Sequence, residues 1–320
     1  MDQNIEHKHA VLASLAGPVQ ALVARHIEQR KNLWMPSELI FPAEIDREVR
    51  ISDLRHAAER VSLPERVVYA LNLLTEEGLP SYFQLLAQHL GLDSIFSQWI
   101  YRWTAEENRH GQLLGDLARV SGLISRMDEL ERQQFAYLQS GFRPRWQNDP
   151  YQLFGYTAVQ EDATRISHGR ESQLLSKTAG SILAKPVSLV AGEENFHGHV
   201  YAEIVRHIFE VDPDGMIVAL RKAIGNFAMP GKSMPQYEDL AQVAMRLGVF
   251  TPLDLKEILE RLLGYWRVPH LPLRTDEAKR ARDVLMCVLP QAWQRQMRRL
   301  QQVEPRRFTF LFLGNESFVL

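Results

Sequence analysis

Two short stretches of this chain set a carboxylate and an imidazole at a spacing that suits a metal ion. Trp103-Thr-Ala-Glu106-Glu107-Asn-Arg-His110-Gly111 and Ala191-Gly-Glu193-Glu194-Asn-Phe-His197-Gly198 each carry Glu-x-x-His among helix formers. Residues three apart leave one helical face a turn apart, so Glu107 with His110, and Glu194 with His197, can grip a cation together. One such pair arises by chance and marks a solvated helix face; the repetition carries the information. Upstream, Glu76 in Leu74-Thr-Glu-Glu-Gly-Leu-Pro80 and Glu161 in Val159-Gln-Glu-Asp-Ala-Thr164 each place an acid inside an apolar run. Glu76 and Glu107 are 31 residues apart and Glu161 and Glu194 are 33, room for one helix, a turn and the next helix.

Apolar neighbours at helical spacing point all four acids inward: Tyr69, Leu73 and Phe83 around Glu76, Ile100, Trp103 and Leu114 around Glu107, Phe154 and Ala158 around Glu161, Val187, Val190 and Tyr201 around Glu194. Four unpaired buried carboxylates would be prohibitive, whereas two divalent cations balance them and leave the imidazoles neutral. Carboxylate and imidazole ligands without thiolate suit iron or manganese. Two helical hairpins, each giving one lone Glu and one Glu-x-x-His, supply the ligand set of ferritin-like di-iron carboxylate bundles. The expected fold is therefore all-α, a four-helix bundle over about 63–210 within a single domain of residues 1–320.

The elements that must position these groups follow from caps and breakers. Residues 9–31 have helical periodicity, and a proline-marked passage through Trp34 runs to Phe41-Pro42. Trp34 reads either as an aromatic plugging that loop onto the core or as a residue near the metal. Pro64–Gly91 reads as the first ligand helix, distorted at Glu76 because the Pro80 ring opposes its carbonyl. A second ligand helix runs from Ser94 to about Gly122, and a further helix covers Ser125–Gln139. Asp149-Pro150 caps the third ligand helix, whose face also carries Thr164 and His168, the latter a satisfied core or outer-shell histidine. Ser181–Glu210 is the fourth ligand helix. Further helices follow to Glu304, starting at Asp212-Pro213, Thr251-Pro252 and Thr275, and residues 307–320 read as a short β-hairpin around Gly314-Asn315.

With 320 residues, 45% hydrophobic and 24% charged, the chain has the composition of a soluble protein with a sizeable core. A formal charge of −2 gives no basic signature for nucleic acid. No run reaches the ~18 apolar residues of a membrane helix, and the first residues lack a signal-peptide pattern, so a cytoplasmic protein without a membrane span is expected. One cysteine, Cys287, excludes an intrachain disulfide and a self-contained four-thiolate cluster, and reads as a small buried apolar residue. No phosphate loop or dinucleotide fingerprint is present.

From about Trp34 to the C-terminus the chain resembles the soluble acyl-carrier-protein desaturases. The motifs are Thr75-Glu-Glu-Gly-Leu-Pro80, Trp103–Gly111, Gln160-Glu161 with Ala163-Thr164 and Ile166-Ser-His-Gly169, Phe209-Glu-Val-Asp-Pro-Asp-Gly215 and Arg246-Leu-Gly-Val-Phe-Thr251. The resemblance implies two iron ions, with Glu76 and His110 terminal on one, Glu161 and His197 terminal on the other, and Glu107 and Glu194 bridging. It implies that Thr164 lies beside the oxygen-binding face, that Trp34 relays electrons, and that Glu193 stands where the family has an aspartate behind His110. It further implies an acyl carrier protein bearing a fatty acyl chain as substrate, O2, a ferredoxin-type electron donor and a homodimer. Arg221-Lys222 reads as a landing site for an acidic carrier or as a solvated face. Shorter loops and Asn195-Phe196 in place of a basic pair suggest a bacterial-type member. Insertion of oxygen into another carrier-bound substrate, or iron storage, are the competing readings.

Overall fold

Among the described residues, helices dominate and one small sheet closes the C-terminus. The structure, a computed structural model, describes residues 3–144, 146, 148–300, 302, 304–314 and 316–320. The helices are α1 (Gln3–Ser14), α2 (Ala16–Gln29), α3 (Pro36–Ile40), α4 (Arg47–Glu59), α5 (Leu63–Glu76), α6 (Leu79–Leu90), α7 (Ser97–Ser121), α8 (Met127–Ser140), α9 (Pro150–Thr178), α10 (Ser181–Val211), α11 (Pro213–Gly225), α12 (Tyr237–Arg246), α13 (Pro252–Tyr265), α14 (Asp276–Asp283) and α15 (Leu289–Leu300). Strands β1 (Arg307–Thr309) and β2 (Ser317–Val319) pair antiparallel, with Phe308 opposite Phe318.

Helices α5, α7, α9 and α10 form the central bundle and carry the repeated acids. Local chemistry fixes their starts. Ser62 opens α5 with a capping box, its backbone N–H and hydroxyl both donating to Glu65 at 2.9 and 2.6 Å, and Pro64 sits in the first turn. Asp149 caps α9 by accepting from the backbone of Tyr151 at 3.0 Å, and Lys8 reaches the same carboxylate at 2.6 Å. Gly122, at φ 69°, ends α7 in the left-handed region that glycine adopts without strain. Residues 150–164 of α9 are buried without interruption, so this helix is enclosed on every side by its neighbours.

The core falls into two apolar clusters. One holds Trp99, Trp103, Phe154 and Tyr201; the other holds Tyr69, Leu73, Leu114 and Val187. The six acid and imidazole side chains lie between them along the bundle. Phe308, Phe310 and Phe312 plug the far end of the second cluster, each at most 1% exposed.

Several expected elements are placed differently. The single helix over Pro64–Gly91 is two, α5 and α6, because the chain turns at Glu77-Gly78 and Pro80 takes the second position of α6. A Cβ on Gly78 would lie 2.5 Å from the Tyr137 hydroxyl, so the turn depends on glycine. Residues 9–31 break at Leu15, α4 lacks the strong apolar periodicity that would have announced it, and α12, which buries Leu240, Val243 and Ala244 on one face, is a further helix not placed from the sequence. Cys287 is exposed, not buried: a π-helical turn at Val284–Val288 leaves Leu285 as its buried residue and carries Cys287 outward. That turn interrupts the last long helical run. Asn315 of the expected hairpin turn, and Arg145 and Gln147 of the connection into α9, lie outside the described residues.

Candidate metal centre

Each bundle helix delivers its side chains to one buried layer. Glu76 ends α5, Glu107 and His110 lie mid-α7, Glu161 lies in α9, and Glu194 and His197 lie in α10, all between 0 and 7% exposed. Gly111 and Gly198, each just after a histidine, face the neighbouring ligand helix: a Cβ on Gly198 would sit in contact with the Glu161 Cβ, at 3.4 Å, and one on Gly111 with that of Glu76, at 3.7 Å.

The ligand atoms form two overlapping groups with all atoms of each within 4.8 Å of one another: Glu76, Glu107, His110 and Glu194, and Glu107, Glu161, Glu194 and His197. Glu107 and Glu194 belong to both. Glu107 Oε2 is 3.2 Å from His110 Nδ1, and its Oε1 is 2.7 Å from His197 Nδ1. Glu194 divides its oxygens likewise, at 3.1 Å from His110 Nδ1 and 3.9 Å from His197 Nδ1. Of the two ligand histidines, Glu76 approaches His110, at 3.6 Å, and Glu161 approaches His197, at 3.9 Å.

The donor set tests whether metal fits. His110 Nδ1, His197 Nδ1, Glu107 Oε1 and Glu161 Oε2 are buried, face the centre and make no well-aligned hydrogen bond, although His197 Nδ1 and Glu107 Oε1 lie 2.7 Å apart. Buried polar atoms left so are rare in a folded interior. The opposite atom of most of these groups is held from outside. His110 Nε2 meets Glu193 Oε2 at 2.9 Å, and His197 Nε2 meets Glu106 Oε2 at 2.8 Å. Trp103 Nε1 donates to Glu161 Oε1 at 3.2 Å, and His168 Nε2 meets Glu76 Oε1 at 2.7 Å. Carboxylate-backed imidazoles with the second nitrogen turned inward are the orientation that metal ligation requires. The residues fit two divalent ions.

Without metal the layer must hold protons. Burial opposes charge on the imidazoles, but Glu107 and the neighbouring carboxylates outweigh it, raising His110 well above its ordinary value and His197 to about 10. Burial, then Glu194 and Glu107, push Glu161 well above the usual carboxylate range.

Thr164 lines a void of about 30 Å³ together with Glu76, Glu107, Glu194, Tyr82 and Trp103, and its hydroxyl donates to the Glu161 carbonyl at 2.9 Å. Trp34 is half-buried and stacks on His110, ring centroids 6.1 Å apart and planes 18° from parallel, with the Arg109 guanidinium 4.4 Å from its ring centroid. Glu193, a longer acid than the family aspartate, reaches His110 and also binds Arg109 at 2.8 Å and Arg30. Glu106, His26, Arg30, Arg102 and the role of Trp103 were not read from the sequence, whereas His168 is the satisfied histidine behind the ligands that its place on the α9 face implied. The doubled acid Glu-Glu-x-x-His in both hairpins was the available signal for Glu106. His26, Glu106 and His197 also have metal-like spacing, but Arg102 Nε, 2.5 Å from Glu106 Oε1, already neutralises that carboxylate.

Fold and centre together define a ferritin-like helical protein with a buried carboxylate–histidine layer for two ions. A family profile for fatty acid desaturases matches residues 7–312. The stearoyl-[acyl-carrier-protein] 9-desaturase of Solanum commersonii is 32% identical over 95% of this chain and 82% of its own length. That of Spinacia oleracea is 30% identical over 96% and 81%. The X-ray structure of DesA2 from Mycobacterium tuberculosis H37Rv, described as an acyl-ACP desaturase, superposes with a TM-score of 0.58 at 18% identity, over 85% of this chain and 99% of that one. The chain belongs to the fatty acid desaturase family.

Proposed function

We propose that this chain is an acyl-[acyl-carrier-protein] desaturase, with Glu76, Glu107, His110, Glu161, Glu194 and His197 as ligands of two irons. Glu107 and Glu194, which belong to both ligand groups, would be shared between the two ions, and each of the others would serve one. The observation that carries the reading is the division of oxygens: each of two central glutamates offers one to each histidine, in a buried layer whose inward nitrogens face these carboxylates. When bound, the irons supply the redox capacity to reduce O2 while two hydrogens leave adjacent methylenes of the acyl chain. With two electrons and two protons from outside, one O2 ends as two waters and the acyl chain gains one double bond.

The chain's own residues set the conditions. Burial of the layer excludes bulk water, Trp103 and His168 fix the terminal carboxylates, and Glu106 and Glu193 fix the imidazoles. The void at Thr164 has about the volume of one liquid water, so an acyl chain enters by displacing side chains. A second void of about 70 Å³, sharing Thr75 and Thr164 and lined by Ala163, Ala244 and Phe250, offers apolar space beside the carboxylates. Thr164 stands where the two meet. Trp34, stacked on His110 and half-exposed, is suited to receive electrons from a ferredoxin-type donor. An acidic carrier finds exposed cations at Arg221 and Lys222 of α11, and at Arg295, Arg298 and Arg299 of α15, where no acid occurs between Asp283 and Glu304.

Among the described residues no single helix is long and apolar enough to cross a membrane. A cytoplasmic homodimer is our reading from the family. The function is tested by loading iron anaerobically, adding a reduced ferredoxin, O2 and a panel of acyl carriers, and weighing the released fatty acid. A loss of 2 Da is expected; a gain of 16 Da would replace desaturation by oxygenation, and more than two irons per chain would favour storage.

A further inference from the structure

Both outer-shell carboxylates are tied to the same N-terminal helix. Four residues apart near the end of α2, His26 and Arg30 share a helical face. His26 is 4% exposed and its Nε2 lies 3.0 Å from Glu106 Oε2, the oxygen that also meets His197. A carboxylate only accepts, so both imidazoles donate to it. Arg30 pairs with Glu193, the carboxylate behind His110, and its carbonyl accepts from Arg102 Nη2 at 2.9 Å. Four residues further, Trp34 stacks on His110 while its carbonyl accepts from Arg109 Nη1 at 2.7 Å. Positions 26, 30 and 34 thus reach both halves of the metal layer from one segment.

We propose that α2 and the following turn are a strap that locks the two metal-binding halves, with His26 the positioning residue for the His197 half and Arg30 for the His110 half. The proposal rests on the di-iron reading. Its physical basis is that each ligand imidazole keeps its orientation only while the carboxylate behind it is held. Glu106 is held by His26 and Arg102, and Glu193 by Arg109 and Arg30. Loosening one end of the strap frees one half and leaves the other. The inward nitrogens then sample other rotamers, and that ion escapes sooner.

The test is iron release from anaerobically loaded ferrous protein into a chromophoric chelator. His26→Phe keeps a ring against Trp99, 5.1 Å away in the native pair, and removes the donor. It should release iron in two phases, one ion leaving about tenfold faster than wild type and the other unchanged. Arg30→Met should also give two phases, and the double variant should release both ions fast. His26→Gln, whose amide can donate to Glu106, should restore the wild-type trace, which a merely packing role would not allow. Release unchanged in His26→Phe, equal acceleration of both ions, or failure of the glutamine to rescue would each overturn the strap. A wild-type chain that took up no iron would refute the metal centre and the strap with it.

Discussion

Filling the centre with metal should expel protons, and their number can be worked out from the layer itself. In the metal-free protein His110 and His197 are both raised above neutrality, the second to about 10, and Glu161 is held well above the carboxylate range. At pH 7 the two imidazoles carry protons. Ligation needs neutral imidazoles, so uptake of two divalent ions should release about two protons. Because the raised groups are protonated below their metal-free values, binding is favoured at high pH and lost as pH falls. The product of the two binding constants should rise about a hundredfold per pH unit near neutrality, about 3 kcal/mol at 1.36 kcal/mol per proton. Anaerobic calorimetry of ferrous uptake in buffers of different ionisation enthalpy counts the protons directly. Release of one proton or none would refute the charge balance, since the layer would then be ionised before metal arrives.

Other consequences are open to simpler experiments. Glu107→Ala and His197→Ala should each fall below two irons per chain, measured by metal analysis after desalting; two irons retained in both would refute the ligand assignment. Gly155→Val should cost about 1–3 kcal/mol in denaturant unfolding, because even a Cβ there lies 2.9 Å from Leu220 Cδ1 and 3.2 Å from Met216 Cε. An unchanged midpoint would mean that α9 and α11 do not pack so closely. Cys287, exposed on its π-helical turn, should react with a thiol reagent in the native state; reaction only after unfolding would restore the buried assignment.

What the sequence determined alone was the inner layer. Glu-x-x-His repeats, the lone acids a helical hairpin upstream and the apolar residues around them impose one-dimensional periodicity, and periodicity is local. Asp149-Pro150 and Thr251-Pro252 were legible for the same reason, since a cap acts within four residues. Tertiary structure decided the rest. The turn at Gly78 depends on Tyr137 from another helix, and the exposure of Cys287 on a π-turn that no cap or breaker announces. Above all, the outer hold on the centre joins residues distant in sequence: His26 to Glu106, Arg30 to Glu193, His168 to Glu76 and Trp103 to Glu161. A side chain's partner across a bundle is chosen by helix packing, and no spacing along the chain records that choice.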